Sequence, residues 1–125
     1  MSTRVPRSKR FPKLYSTAFK ACEDLLRYTS TITSNSKNFD PIYSALIFEI
    51  NQATIKMTTL TIRAIKSPKE NKTPLIKLAI SHSESLDELI GVAYSIFHLR
   101  GKKVDYWASL NQSARNNLEE YLKKI

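Results

Sequence analysis

Glycine is nearly missing from this 125-residue sequence, which contains only Gly91 and Gly101. That scarcity argues against a fold of strands joined by tight hairpin turns, and it excludes a glycine-rich phosphate loop. One cysteine, Cys22, rules out an intrachain disulfide framework and suits a reducing, cytoplasmic setting. No apolar run approaches the ~18 residues of a membrane-spanning helix. No apolar segment follows the basic start either, so the sequence reads as lacking a secretory signal. A mitochondrial presequence would share the arginine and serine content, but Pro6 and Pro12 interrupt the amphipathic helix it needs.

Acidic residues are absent from RVPRSKRFPK, residues 4–13, which holds Arg4, Arg7, Lys9, Arg10 and Lys13. The imbalance continues beyond this arm. Residues 1–67 carry 11 Lys/Arg against 4 Asp/Glu, and residues 68–125 carry 9 against 7, so +7 of the net +9 belongs to the first half. Charge distributed in this way implies a one-sided basic surface and a polyanionic partner, most often nucleic acid. A merely soluble basic protein is the competing reading. The chain length fits one domain with an ordinary core, here a basic arm at 1–10 followed by a helical domain at 11–125.

What is present in quantity is helical periodicity. Leu14, Ala18, Cys22, Leu25 and Ile32 form a first seam, which the polar stretch TSNSKN (33–38) ends. Asp40 then reads as an N-cap with Pro41 at the first helical position. Tyr43, Leu46, Ile50, Ala53, Met57, Leu60 and Ala64 follow in steps of three and four. TIKMTTLTIRAI is rich in β-branched residues, yet its apolar positions do not alternate, so the spacing predicts helix over strand. SPKENKTP (67–74) reads as a loop, with Thr73-Pro74 opening a third helix. Ala79, His82, Leu86, Leu89, Ala93 and Ile96 make its seam, beside Ile76, Ile90 and Phe97, and Gly101 reads as its C-terminal cap. Trp107, Leu110, Ala114, Leu118, Tyr121 and Ile125 define a fourth. Short connections favour antiparallel neighbours, so the expected fold is all-α, an up-down antiparallel four-helix bundle.

The residues that carry chemistry are few. Cys22, His82 and His98 lack metal-ligand spacing, and the Glu-x-x-His element of carboxylate di-metal bundles is absent. Glu84 and Glu88 share a face and read as solvated. Cys22 falls on the core seam and reads as a small buried hydrophobe, and His82 reads as a hydrogen-bonded or interface histidine. The sequence therefore predicts no enzyme, no cofactor and no metal. The basic residues show more order: Lys13, Lys20 and Arg27 recur at heptad spacing on the first helix, and Lys56, Arg63 and Lys66 lie on the polar face of the second. With the arm they form the candidate nucleic-acid-binding set, since ammonium and guanidinium groups neutralise phosphates and release counterions. Phe11 and Tyr15 are candidates for stacking on a base or for packing.

FPKLYSTAFKACEDLL, TPLIKLAISHSESLDELIGVAYSIF and VDYWASLNQSARNNLEEYLKKI, joined by the long second helix, resemble the accessory variability determinant proteins of diversity-generating retroelements. Those proteins are cousins of the four-helix proteins encoded in 23S ribosomal RNA intervening sequences. The likeness runs from Phe11 onward and has two departures. Glu119, Glu120 and Tyr121 stand where such proteins often carry a small-small-Trp element, and the third helix is less basic than in the family, with Arg100 near its end. The resemblance implies a non-enzymatic homopentamer, a basic barrel of five bundles, that associates with a reverse transcriptase and its template RNA during mutagenic cDNA synthesis. Two alternatives stand beside it: the intervening-sequence type of protein, and an oligomerisation module in which exposed aromatics such as Tyr94 and Trp107 matter more than lysines.

Overall fold

The computed structural model describes residues 16–125, and these form four helices and one short 3-10 turn. Helix α1 spans Thr17–Ser34, the 3-10 turn Pro41–Tyr43, α2 Ser44–Lys66, α3 Lys69–Ile96 and α4 Gly101–Lys123. Each helix packs on its neighbours in sequence, and α1 closes the ring against α4. Short connections make the neighbours antiparallel, which gives the up-down four-helix bundle expected from the seams. Leu14 and the arm residues Arg4, Arg7, Lys9, Arg10 and Lys13, with Phe11 and Tyr15, lie outside the described residues.

Helix α1 begins at a side-chain cap that the sequence reading did not single out: Ser16 Oγ accepts the Phe19 N–H at 3.0 Å. Ala18, Cys22, Leu25 and Ile32 then enter the core as their spacing requires. Asp40 Oδ1 accepts from the Ile42 backbone N–H at 3.0 Å, so it does act as a cap, but of the 3-10 turn that precedes α2. Tyr43 is consequently exposed rather than on the seam, while Ile50, Ala53, Met57, Leu60 and Ala64 are buried.

The β-branched stretch of α2 is helical, and its threonines show how. Thr58 Oγ1 donates to the Thr54 carbonyl at 2.8 Å, and Thr61 Oγ1 to the Met57 carbonyl at 2.7 Å. Thr33 does the same to Thr29 in α1, at 2.7 Å. This back-bonding satisfies hydroxyls that would otherwise be costly to bury, so threonine can serve as a core residue in a helix. Cross-helix bonds complete the set: Trp107 Nε1 donates to Thr29 Oγ1 at 2.9 Å, and the Cys22 and Thr61 side chains meet at 3.7 Å. Among the described residues no buried side-chain nitrogen or oxygen lacks a partner.

Two boundaries differ from the sequence expectation. SPKENKTP is not a loop, because α3 already starts at Lys69 and carries Pro74 inside it. Proline there forfeits one intrahelical bond, to the Glu70 carbonyl, without ending the helix. What holds the added turn in place is Lys72, whose Nζ donates to the carbonyls of Ala64 at 2.8 Å and Ile65 at 3.1 Å, the open C-terminal end of α2. Gly101, in turn, is the first residue of α4 and does not cap α3. Helix α3 stops at Phe97, which turns extended because its ring is drawn inward against Phe39, with centroids 4.5 Å apart.

Candidate nucleic-acid interface

The two basic rows differ in electrostatic state. On α1, Lys20 Nζ lies 3.1 Å from Asp24 Oδ1 and 3.8 Å from Glu23 Oε1, while Arg27 Nη2 is 3.5 Å from Glu23 Oε1. These i,i+3 and i,i+4 pairs, in which the cations are exposed and Glu23 is largely covered, add little stability, but they cancel much of the positive field of the row. On α2, Lys56, Arg63 and Lys66 are exposed, and none forms an ion pair with another described residue. Their charges are available to an external anion.

The rows also face different ways. On α2, Asn51 Nδ2 reaches Thr33 Oγ1 at 2.9 Å and Thr61 meets Cys22, and these contacts mark the side that touches α1. Lys56 stands five residues from each, about 140° round the helix from either. Its field instead reaches His82 on α3, whose pKa is lowered by partial burial and then by this cation. Lys56 thus stands on the α3 side of the bundle, away from the α1 row.

The α2 row leads to the end of the bundle where α1 begins, beside Ser16. Further cations gather there that the sequence reading did not select. Lys69, Lys72 and Lys124 line a pocket of about 450 Å³ with Tyr121 and Ile125, and no Asp or Glu side chain is among its lining residues. Lys72 Nζ also makes a long contact of 3.5 Å to the Tyr121 hydroxyl. Heptad spacing within one helix cannot reveal this group, because α3 supplies its start and α4 its finish. Antiparallel topology is the signal that finds it.

His82 is half-buried at the edge of its helix, and the seam position beside it belongs to Ser83. Ser83 Oγ donates to Asn111 Oδ1 at 2.8 Å, and Asn111 Nδ2 donates to the Ser83 carbonyl at 2.9 Å and to Asp87 Oδ1 at 2.7 Å. Arg115 Nη1 pairs with Asp87 Oδ2 at 2.7 Å and reaches Ser83 Oγ at 3.2 Å. This fully bonded network locks α3 to α4, and its interior leaves no open group for a ligand. Trp107 is not an exposed aromatic: it is completely buried between α4 and α1, whereas Tyr94 is 53% exposed.

Burial pushes the Cys22 thiol up to about 11, against the opposing effect of its side-chain contact with Thr61, so no reactive thiolate forms near neutrality. Among the described residues no group of three His, Cys, Asp or Glu is placed to hold a metal, and no helix is long and apolar enough to cross a membrane. Compared with models of known protein families and with curated proteins, the chain matches none.

Proposed function

We propose that this protein is a non-enzymatic RNA-binding bundle that serves as an accessory subunit to a reverse transcriptase and its template RNA. The observation that carries the RNA part is the row of Lys56, Arg63 and Lys66, which forms no ion pair among the described residues and runs toward the end of the bundle where α1 begins. A row of cations without internal partners attracts phosphates along a backbone and has no means of reading base edges, so binding is strong at low salt and tolerant of sequence. The α1 row contributes less, because Glu23 and Asp24 neutralise it. The reverse transcriptase and the homopentamer follow from the family resemblance.

A second reading has its own support. Ile42 is 80% exposed and Phe48 59% exposed, and Val92, Tyr94 and Ile96 are exposed too, which gives the end of the bundle where α1 leads into α2 an apolar character. Such side chains suit contact with other protein, the oligomerisation module of the alternative. Native mass spectrometry with and without a structured RNA separates the two readings. A pentamer that takes up RNA supports the accessory-subunit reading. An assembly that forms and ignores RNA supports the module, and a monomer indifferent to RNA contradicts both.

A further inference from the structure

We propose that the pocket formed by Lys69, Lys72, Tyr121 and Lys124 is a phosphate-binding site that receives a phosphate group of the bound nucleic acid. The proposal rests on the RNA reading for the source of the phosphate and on the pocket itself for the chemistry. Three cations line a concavity of about 450 Å³ that no acidic side chain lines, and Lys69 and Lys124 have no ion-pair partner among the described residues.

The three lysines have different tasks. Lys72 spends its hydrogens on the carbonyls of Ala64 and Ile65 and on the Tyr121 oxygen, so it holds a fixed positive charge beneath the site rather than gripping the ligand. The Tyr121 hydroxyl accepts from Lys72, and its own hydrogen has no acceptor among the described residues. A phenol polarised by an adjacent ammonium is a directed donor, and an anion is its best acceptor. Lys69 and Lys124 add mobile ammonium groups at the rim. Pro68, which precedes α3, provides no side-chain cap, and in the first turn the Asn71 N–H bonds the Pro68 carbonyl at 2.9 Å while Glu70 stands outside the pocket lining. Tyr121 and Ile125 supply a wall that limits water on one side.

The test is an NMR titration of the full chain, first with inorganic phosphate and then with a short single-stranded RNA. Phosphate is expected to move the signals of Lys69, Glu70, Tyr121 and Lys124 along saturating curves, and RNA to move the same signals. Tyr121→Phe keeps the ring and the fold and is expected to weaken phosphate binding about tenfold, the worth of one hydrogen bond to a charged group. Lys69→Gln with Lys124→Gln is expected to weaken it further. Shifts spread over all exposed lysines without saturation, or no response to Tyr121→Phe, would overturn the site. RNA that moves the α2 row and leaves the pocket untouched overturns the site while the RNA reading survives. Phosphate that saturates the pocket while RNA moves nothing leaves the anion site standing and overturns its nucleic-acid source.

Discussion

At the end of the bundle where α1 leads into α2 and α3 into α4, the connections are pinned by rings. Phe39 packs 4.5 Å from Phe97 and 6.2 Å from Trp107, Tyr43 meets Phe97 edge-on at 5.2 Å, and Tyr28 meets Tyr106 at 4.9 Å. At the other end α2 passes into α3 through Ser67 and Pro68 alone, and the join is held by a lysine on two carbonyls. One end spends aromatic area on stability. The other gathers Lys66, Lys69, Lys72 and Lys124, which form no ion pair among the described residues, and this disfavours the compact state slightly and favours an anionic partner. Cations without an ion pair among the described residues stand at the aromatic end too, at Lys37, Arg100, Lys102 and Lys103, so the two ends differ chiefly in how their joins are held, and substitutions at each should separate stability from binding.

The largest effect is expected at the aromatic end. Trp107→Ala removes a completely buried side chain and its bond to Thr29, and should cost about 3–5 kcal/mol in urea unfolding, leaving RNA affinity of the folded protein unchanged. Next comes the network between α3 and α4. Asn111→Ala takes the acceptor from Ser83 Oγ and the donor from the Ser83 carbonyl and Asp87 Oδ1, and should cost about 1–3 kcal/mol by the same measurement. At the basic end, Lys72→Met exposes two helix-terminal carbonyls at the protein surface and should cost about 1 kcal/mol, while also weakening RNA binding. Only this third substitution is expected to move both properties.

The smallest effect concerns His82. Its folded-state pKa lies below the ordinary value, chiefly through burial and secondarily through Lys56, so the unfolded chain binds more protons than the folded one. Stability from this group is therefore present above the unfolded pKa of ~6.5 and is lost as pH falls through the lowered folded value. His82→Gln should flatten the pH dependence of stability below that point, and a Lys56→Ala background should reduce the difference between the two proteins. Urea midpoints measured across mildly acidic pH check both.

The bundle was legible in the sequence because Ile50, Ala53, Met57, Leu60 and Ala64 repeat at three- and four-residue steps that only a helix can bury together. The polar core was half legible: threonines in α2 look like strand formers until each is seen returning its hydroxyl to a carbonyl of its own helix. Local signals misled where tertiary contacts outweighed them. Thr73-Pro74 has the form of a helix start, but Lys72 anchors an earlier turn, and Gly101 has the form of a stop but begins the next helix. Asn111 and Ser83 carry no periodic signal as polar residues, and their pairing exists only once α3 and α4 are side by side. The basic rows were visible as spacing, and their inequality was legible too, because Glu23 and Asp24 stand three or four residues from Lys20 and Arg27, a signal that the heptad spacing of the cations alone passes over.

The most direct test of the account is the salt dependence of binding to a structured RNA, measured for the wild type, for Lys56→Ala/Arg63→Ala/Lys66→Ala, and for Lys20→Ala/Arg27→Ala. The wild type should lose affinity steeply with salt. The α2 triple variant should bind more weakly, with a log–log slope shallower by about two to three. The α1 double variant should change the slope by less than about one, because its cations are already neutralised. A wild-type affinity indifferent to salt, or a triple variant with an unchanged slope, would contradict the account.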